Sequence, residues 1–592
     1  MCGIAGVMNA TIGGADLESA LNRMKTALRH RGPDDSGIWI SPHGGIGLAH
    51  TRLSILDLSS AGHQPMQISG GRLTITYNGE IYNFHELRAE LEASGVVFHT
   101  ATDTEVILRL YEKEGAQCVR RLRGMFAFAL WDEQTRTAFL ARDPLGIKPL
   151  YFHRTGNTLA FASEVRALCQ SHLFSPTLCH QAVQRYFETG SIPEPLTLIN
   201  EAECLGAGQT LSWHEGAATT QTYWQPAFPS DFTGDAQALT REALLDSVRH
   251  HFVSDVPVGV FLSGGIDSTA ILALANATGH RGCSTFSIAV DDVAADEGPV
   301  ARRTAAHFDS QHHEMRLDAS VAQGLFAEFL DHLDQPSIDG LNTFTVSRLA
   351  AQHGMKVVLS GLGGDEVFGG YSSFGKIPKM CRWHRMARMI PGLIAILERS
   401  KPQHRRLAEF LRSPGRVEDA YASLRGIFSQ AEAVKLTHWI TGRQATFVEP
   451  QASSLNLRAT NIADQVSELE LTCYMRNQLL RDSDVMSMAN GMELRVPFVD
   501  RGLFEAVSRI PAATRLQPGK RLLTDAVPEV PDWVVNQKKR GFLFPFEKWL
   551  GSSWGESFAH ASQNAPVPVT TWYQKWSLFV LRRSMTSLGL AP

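Results

Sequence analysis

The 592-residue chain has no apolar run long enough to cross a bilayer. Its best stretch, Met389-Ile390-Pro391-Gly392-Leu393-Ile394-Ala395-Ile396-Leu397, is short and broken by proline and glycine. The N-terminus also lacks the basic-then-apolar layout of a secretory signal, so a cytoplasmic location and no membrane partner are expected. Basic charge is not in excess. Lys plus Arg total 56 against 60 for Asp plus Glu, a net of -4, and no broad positive field advertises nucleic acid. Paired cysteines are missing too: Cys2, Cys118, Cys169, Cys179, Cys204, Cys283, Cys381 and Cys473 are scattered with no C-x-x-C. That excludes a zinc ribbon and a disulfide framework. No internal repeat or low-complexity tract occurs. What remains, 44% hydrophobic and 20% charged, is ordinary globular composition in a chain too long for one core.

Two regimes follow one another along the chain. Up to about residue 213, short alternating runs such as Leu73 to Tyr77, Met125 to Trp131 and Leu159 to Ala162 read as strands. Amphipathic helices from Phe84 to Ser94 and from Asp103 to Gly115 lie between them, which predicts an α+β layered domain over 1–213. A polar, turn-rich stretch over 214–234 reads as a linker. Beyond it, strands at Val256–Leu262, Ser284–Val290, His313–Leu317 and Met355–Ser360 alternate with helices at Asp267–Ala277, Gly298–Phe308 and Thr343–Gln352. That alternation predicts an α/β doubly wound parallel sheet within 235–592, mostly helical from about Arg382 on.

Cys2 is the first residue with chemistry. If Met1 is removed, its α-amino group, with an ordinary pKa of roughly 8, can act as base for its own thiol. Position alone equally fits an early small residue. Arg52 can fork onto a carboxylate. Asn78-Gly79, directly after a strand, offers an amide and a backbone N–H, the donors an oxyanion hole needs, but a hairpin turn uses the same pair. Asp103 reads as a helix N-cap, an ammonium-binding carboxylate, or both.

Taken together, Cys2-Gly3-Ile4, Arg29-His30-Arg31-Gly32-Pro33-Asp34, Arg52, Asn78-Gly79-Glu80 and Asp103 resemble a class II glutamine amidotransferase domain, a likeness that continues through Arg142-Asp143-Pro144 and Ala162-Ser163-Glu164. The resemblance implies that Cys2 is the nucleophile and that Asn78 and Gly79 hold the oxyanion. It also implies that Arg52 grips the glutamine α-carboxylate while Asp103 and Glu80 receive the α-amino end, all on an Ntn-hydrolase-like sandwich.

In the second half, Leu262-Ser263-Gly264-Gly265-Ile266-Asp267-Ser268 stands between a buried strand and a helix. Its glycines let N–H groups approach phosphate, and the helix N-terminus adds partial positive charge. Ser263 and Ser268 add hydroxyl donors, and Asp267 is a candidate Mg²⁺ ligand. No Lys follows the glycines, so this is not a Walker loop. A structural turn would account for a lone Gly-Gly, less well for the whole string at a strand's carboxyl end.

The segment resembles the pyrophosphate loop of the N-type ATP pyrophosphatases, which adenylate a substrate and release pyrophosphate. Ser360-Gly361-Leu362-Gly363-Gly364-Asp365-Glu366 follows another strand, with Asp365 a second candidate Mg²⁺ ligand. Lys539, in Lys538-Lys539-Arg540-Gly541-Phe542, could neutralise departing pyrophosphate, although a lysine cluster is usually a solvated face. Both halves in this order are similar to the glutamine-hydrolysing asparagine synthetase family. The resemblance implies ATP and Mg²⁺, with Leu262, Ser263, Gly264, Gly265, Asp267, Ser268, Val290, Ser360 and Gly361 around the nucleotide. It further implies small-molecule substrates (glutamine, ATP and a carboxylate acceptor, expected to be L-aspartate) and an ammonia passage between the sites. The assembly is left open, a homodimer included.

One position departs from that family. Leu362 stands where Glu or Asp is usual, and leucine can neither accept a proton nor pair with ammonium. Either Glu366 or Asp339 takes over, or the acceptor is a different carboxylate from a specialised pathway. A cyclase with only the adenylating half would have no use for the glutamine set, and a scaffold would have no use for either site.

Overall fold

The computed structural model describes residues 2–9, 12–292, 296–443, 457–537, 544–550 and 554–590. In the first half, two six-stranded sheets pack face to face. One has Gly3–Met8 between Thr158–Ala162 and Ile46–Arg52; the other has Gly124–Asp132 between Leu73–Ile81 and Thr137–Arg142, all antiparallel. Ile4, Leu48, Ala129, Trp131, Leu140 and Phe161 fill the space between them. Each sheet's outer face carries helices. Gly14–Ala27 buries Leu17, Leu21 and Met24 on the first, and Asp103–Glu114 buries Val106, Ile107 and Leu110 on the second. Most strand side chains are therefore buried on both faces, as the runs Gly3–Met8 and Leu73–Ile81 illustrate. This is the expected Ntn-type sandwich.

The linker begins later than expected. Ala217–Thr222 pairs residue for residue with Gln209–His214 and forms the edge of the second sheet. Its side chains are almost all exposed, so no apolar alternation marks it as a strand.

The second half holds a five-stranded parallel sheet in the order Gln311–Leu317, Ser284–Val290, Val258–Phe261, Val357–Leu359, Glu493–Arg495. Strand order reverses between Val258–Phe261 and Val357–Leu359, and ligands in such sheets bind beyond the strand ends at that switch. Both glycine-rich loops, Ser263–Ser268 and Ser360–Glu366, leave from there. A helical layer built from Ser373–Arg388, Pro402–Arg412 and Val417–Arg425 follows. A long rod over Ile462–Met488 comes next, wound i→i+5 through Glu470–Leu480. The halves share a core: Tyr82, Met125 and Ile147 belong to the same apolar cluster as Val248, Met488 and Phe498.

Candidate active sites

Three strands bring the thiol end together. Gly3 opposes Thr51 in the first sheet, so Cys2 lies beside the strand that ends in Arg52. Asn78 arrives from the second sheet, and its Oδ1 accepts the Cys2 N–H at 2.9 Å. That bond orients the amide so that Nδ2, buried, has no partner among the described residues. A free donor beside a thiol, the expected nucleophile, is what an oxyanion hole would require. Gly79 is pressed against the neighbouring strand: a Cβ there would lie 2.1 Å from the Met125 carbonyl oxygen. Burial raises the Cys2 thiol above its ordinary value, opposed by the nearby amino terminus, a Leu53 N–H and Arg52.

Arg52 is wrapped by its own loop, donating to the carbonyls of Ser59 at 2.9 Å and Leu56 at 3.2 Å. Asp103 accepts from Tyr77 Oη at 2.7 Å and from the Ile81 N–H at 3.0 Å. Burial pushes its pKa up to about 6 despite those bonds. It is not the helix N-cap; Thr102 is, accepting from the Glu105 N–H at 3.2 Å. Glu80 points toward the other half of the molecule, 3.4 Å from Arg495 on the edge strand of the parallel sheet. Burial, then Glu493, hold Glu80 well above the usual carboxylate range, with Arg495 pulling the other way.

A second buried chain of charges joins the halves. Arg31 donates to the Cys2 carbonyl at 3.2 Å, to Glu164 at 3.0 Å and to Asp484 at 2.7 Å on the long rod. Lys148 reaches the other Asp484 oxygen at 3.3 Å. Nothing in the local sequence around Arg31 signals that it meets Asp484, or around Glu80 that it meets Arg495.

At the ATP end the loop after Val258–Phe261 folds on itself. Ser268 Oγ accepts the Ser263 N–H at 3.1 Å, and Ser263 Oγ accepts the Gly265 N–H at 3.2 Å. The helix Ile266–Ala277 starts at Gly265 without a side-chain cap, so its first N–H groups face outward. The loop from the next strand presses against it: a Cβ on Gly361 would lie 2.8 Å from the Ser268 nitrogen. Ser360 is held by its N–H to the Arg495 carbonyl at 2.9 Å. Val290 is buried at the carboxyl end of its strand, its N–H on Asp296.

Asp267 and Asp365 converge on Lys520, which was not foreseen. Its Nζ bonds Asp267 and lies 2.5 Å from Asp365. Burial alone would lower the Lys520 pKa, but the two carboxylates outweigh it and the net shift is upward. The only local signal was a Pro518-Gly519-Lys520 turn, which carries no motif spacing. Two hard carboxylate oxygens beside a phosphate loop suit Mg²⁺, which takes one or two carboxylates and completes its shell with phosphate and water. The donor set fits. Lys539 lies outside the described residues.

Leu362 packs among apolar neighbours, its N–H directed at Ser360 Oγ at 3.4 Å. Glu366 is buried next to Asp365. Tyr371 donates to one of its oxygens at 2.8 Å, and the other has no partner among the described residues. Burial first, then Asp365, raise its pKa to about 8. Arg425 stacks over Tyr371 and Tyr474 at 4.3 and 4.0 Å. Beyond Tyr474 opens a cavity of about 500 Å³ lined by Asp339, Arg425, Gln478, Phe546 and Trp572 among others.

Comparison with known proteins gives the family. A glutamine amidotransferase domain model matches residues 1–224 and an asparagine synthase model matches 239–576. The chain belongs to the glutamine-hydrolysing asparagine synthetase family. Asparagine synthetase [glutamine-hydrolyzing] 1 of Bacillus subtilis is 34% identical over 94% of this chain and 89% of its own. A putative asparagine synthetase of Mycobacterium tuberculosis H37Rv is 35% identical over 93% and 88%. More distant is amidase chry2 of Gibberella zeae, at 26% over 93% and 90%. Among solved structures, a glutamine PRPP amidotransferase from B. subtilis aligns at 14% identity over 61% of this chain and 81% of that one, with a TM-score of 0.29. Like its relatives, this asparagine synthetase family member is a glutamine-hydrolysing ligase.

Proposed function

We propose that the protein converts a carboxylate, ATP and glutamine to an amide, glutamate, AMP and pyrophosphate through an acyl-adenylate, with L-aspartate the first acceptor to test. The observation that carries this is the Asp267–Lys520–Asp365 cluster at the switch point of the parallel sheet. The acceptor oxygen attacks the α-phosphorus; the bond to the β-phosphate breaks, and pyrophosphate leaves. Ser263, Gly264, Gly265 and Ser268 bind the phosphates, with Lys520 the described cation beside them and Lys539 a further expected one. Mg²⁺ held by Asp267 and Asp365 would screen the charge on pyrophosphate.

At the other end the Cys2 sulfur attacks the glutamine carboxamide. Asn78 Nδ2 and the Gly79 N–H hold the oxyanion, while Arg52 and Asp103 hold the amino-acid end. Ammonia departs with a proton, leaving a thioester that water hydrolyses to glutamate. Ammonia then attacks the acyl carbon, AMP leaves, and the surplus proton goes to a nearby base. Glu366, buried beside Asp365 with one oxygen free of described partners, is the best-placed carboxylate for that role in the absence of an acid at Leu362.

A second reading is favoured by the same leucine together with the 500 Å³ cavity beyond Tyr474, a volume suited to ligands larger than aspartate. Under it the chemistry is unchanged and the acceptor is a bulkier carboxylate. AMP release with glutamine, measured for aspartate and for a panel of larger carboxylates, separates the two. Aspartate-driven AMP with asparagine formed supports the first, and silence with aspartate but turnover with another acid supports the second. No AMP with any acid would refute adenylation. Cys2→Ala should abolish glutamine use and spare synthesis from ammonium salt, and loss of both would refute the two-site mechanism.

A further inference from the structure

The helix Ser373–Arg388 carries Lys376, Lys379, Arg382, Arg385 and Arg388 and no acidic residue, in a chain whose net charge is -4. All five are exposed, and none has an ion pair among the described residues. Arg302, Arg316 and Arg583, also exposed, each sit on a carboxylate, whereas these five cations do not.

The same helix and the turn after it also expose large apolar side chains. Trp383 is 55% exposed, Met386 56%, Met389 74% and Ile390 55%, and Ile396 on the short helix Leu393–Glu398 is 65% exposed. Trp383 and Met386 lie at i and i+3 on one face of the helix, and Met389 and Ile390 follow in the turn just past its end. The apolar run that composition singled out as too short to span a bilayer thus becomes the tip of an exposed helical hairpin. The inner side of the hairpin is anchored. Ile377 and His384 are buried, and the helix packs on Val417–Arg425. These exposed apolar side chains are therefore surplus to the fold, and single scattered apolar residues elsewhere do not form a comparable patch.

We propose that this hairpin docks the protein on an anionic membrane surface. Exposed tryptophan, methionine and isoleucine interleaved with five lysines and arginines on one face combine apolar anchors with the basic cluster that anionic lipid attracts. Trp383 and the Met389-Ile390 tip would enter the headgroup boundary while the five cations meet lipid phosphate. Docking of this kind needs no spanning segment, so it is compatible with the absence of one. A second copy of the chain is a poorer occupant, because a two-fold contact on this face would set five unpaired cations against five more. The cavity lined by Tyr421 and Arg425 of Val417–Arg425 would then sit one helix layer from the bilayer.

The test is co-flotation of the full-length protein with vesicles of phosphatidylcholine alone or mixed with phosphatidylglycerol. Binding to the mixed vesicles at low salt is expected, with little to the neutral ones and progressive loss as salt rises. Each Arg→Gln change at Arg382, Arg385 or Arg388 should weaken partitioning about fivefold. Met389→Ser with Ile390→Ser should weaken it at least as much, with AMP and glutamate release unchanged in solution. No binding to the mixed vesicles, or binding untouched by the Met389/Ile390 change, overturns the proposal. So does a shift from dimer to monomer in that variant by light scattering, or salt-sensitive capture of nucleic acid by the unaltered protein with no vesicle binding.

Discussion

Asn78→Ala separates what the glutaminase site needs for chemistry from what it needs for folding. In the structure the Asn78 Oδ1 holds the Cys2 N–H at 2.9 Å, and its Nδ2 is buried without a partner. The first contact is worth about 1 kcal/mol, and leaving a donor buried and unpaired costs about 1–3 kcal/mol. Removing the whole amide trades one against the other, so the unfolding free energy should change by no more than about 2 kcal/mol. The reaction responds differently. Deleting one oxyanion donor costs about 10²–10³ in rate, roughly 2.7–4 kcal/mol of transition-state stabilisation. Glutamate release from glutamine should therefore fall by that factor with the KM for glutamine nearly unchanged. Amide formation from ammonium salt should persist. Asn78→Asp keeps an acceptor for the Cys2 N–H but sets a charge against the developing oxyanion, and should fall at least as far. The assays are glutamate release, ammonium-driven amide synthesis and denaturant unfolding on the same preparations. An alanine variant within about fivefold of the parent, or one whose ammonium-driven synthesis drops equally, would refute the donor role.

Lys520→Met leaves Asp267 and Asp365 facing each other without their shared ammonium; AMP release should drop about 10²–10³-fold while glutamate release continues. Breaking the buried Arg31–Asp484 pair with Arg31→Ala should lower stability by about 3–5 kcal/mol in denaturant unfolding. In the same variant the glutamate made per amide formed should rise, because Arg31 also holds the Cys2 carbonyl. Asp103 is pushed up to about 6 by burial, so above that pH it is charged and can pair with the glutamine ammonium. The KM for glutamine should rise as pH falls through about 6, and Asp103→Asn should flatten that dependence. The sign for stability is opposite: the folded state keeps the proton longer than the unfolded chain, so Asp103 disfavours folding increasingly as pH rises from the usual carboxylate range to about 6.

The two candidate loops stood out in the sequence because each is a contiguous string with a local physical reason. Asn78-Gly79 lies toward the end of the strand Leu73–Ile81, inside it and not after it as expected, and the Ser263–Ser268 string joins a strand to a helix; neither needs a distant partner to be read. Long, well-patterned elements were legible for the same reason, and Phe84–Ala93, Ser284–Val290 and Gly298–His307 fall where periodicity put them. The edge strand Ala217–Thr222 was missed because an exposed edge leaves no alternation, only backbone pairing that a sequence does not display. Lys520 was missed because its two partners lie 253 and 155 positions away and nothing near it marks the encounter.

The sequence by itself therefore determined the two chemistries and the order of the two domains. It also exposed the one departure from family pattern, Leu362, since a missing carboxylate is visible without coordinates. Only the tertiary structure decided how the halves communicate. Glu80 meets Arg495, and Arg31 links Cys2 to Asp484, because the edge of the parallel sheet and the long rod pack against the glutaminase sandwich. Those contacts join residues more than four hundred positions apart, and only burial in a shared apolar core brings such charges within hydrogen-bond reach.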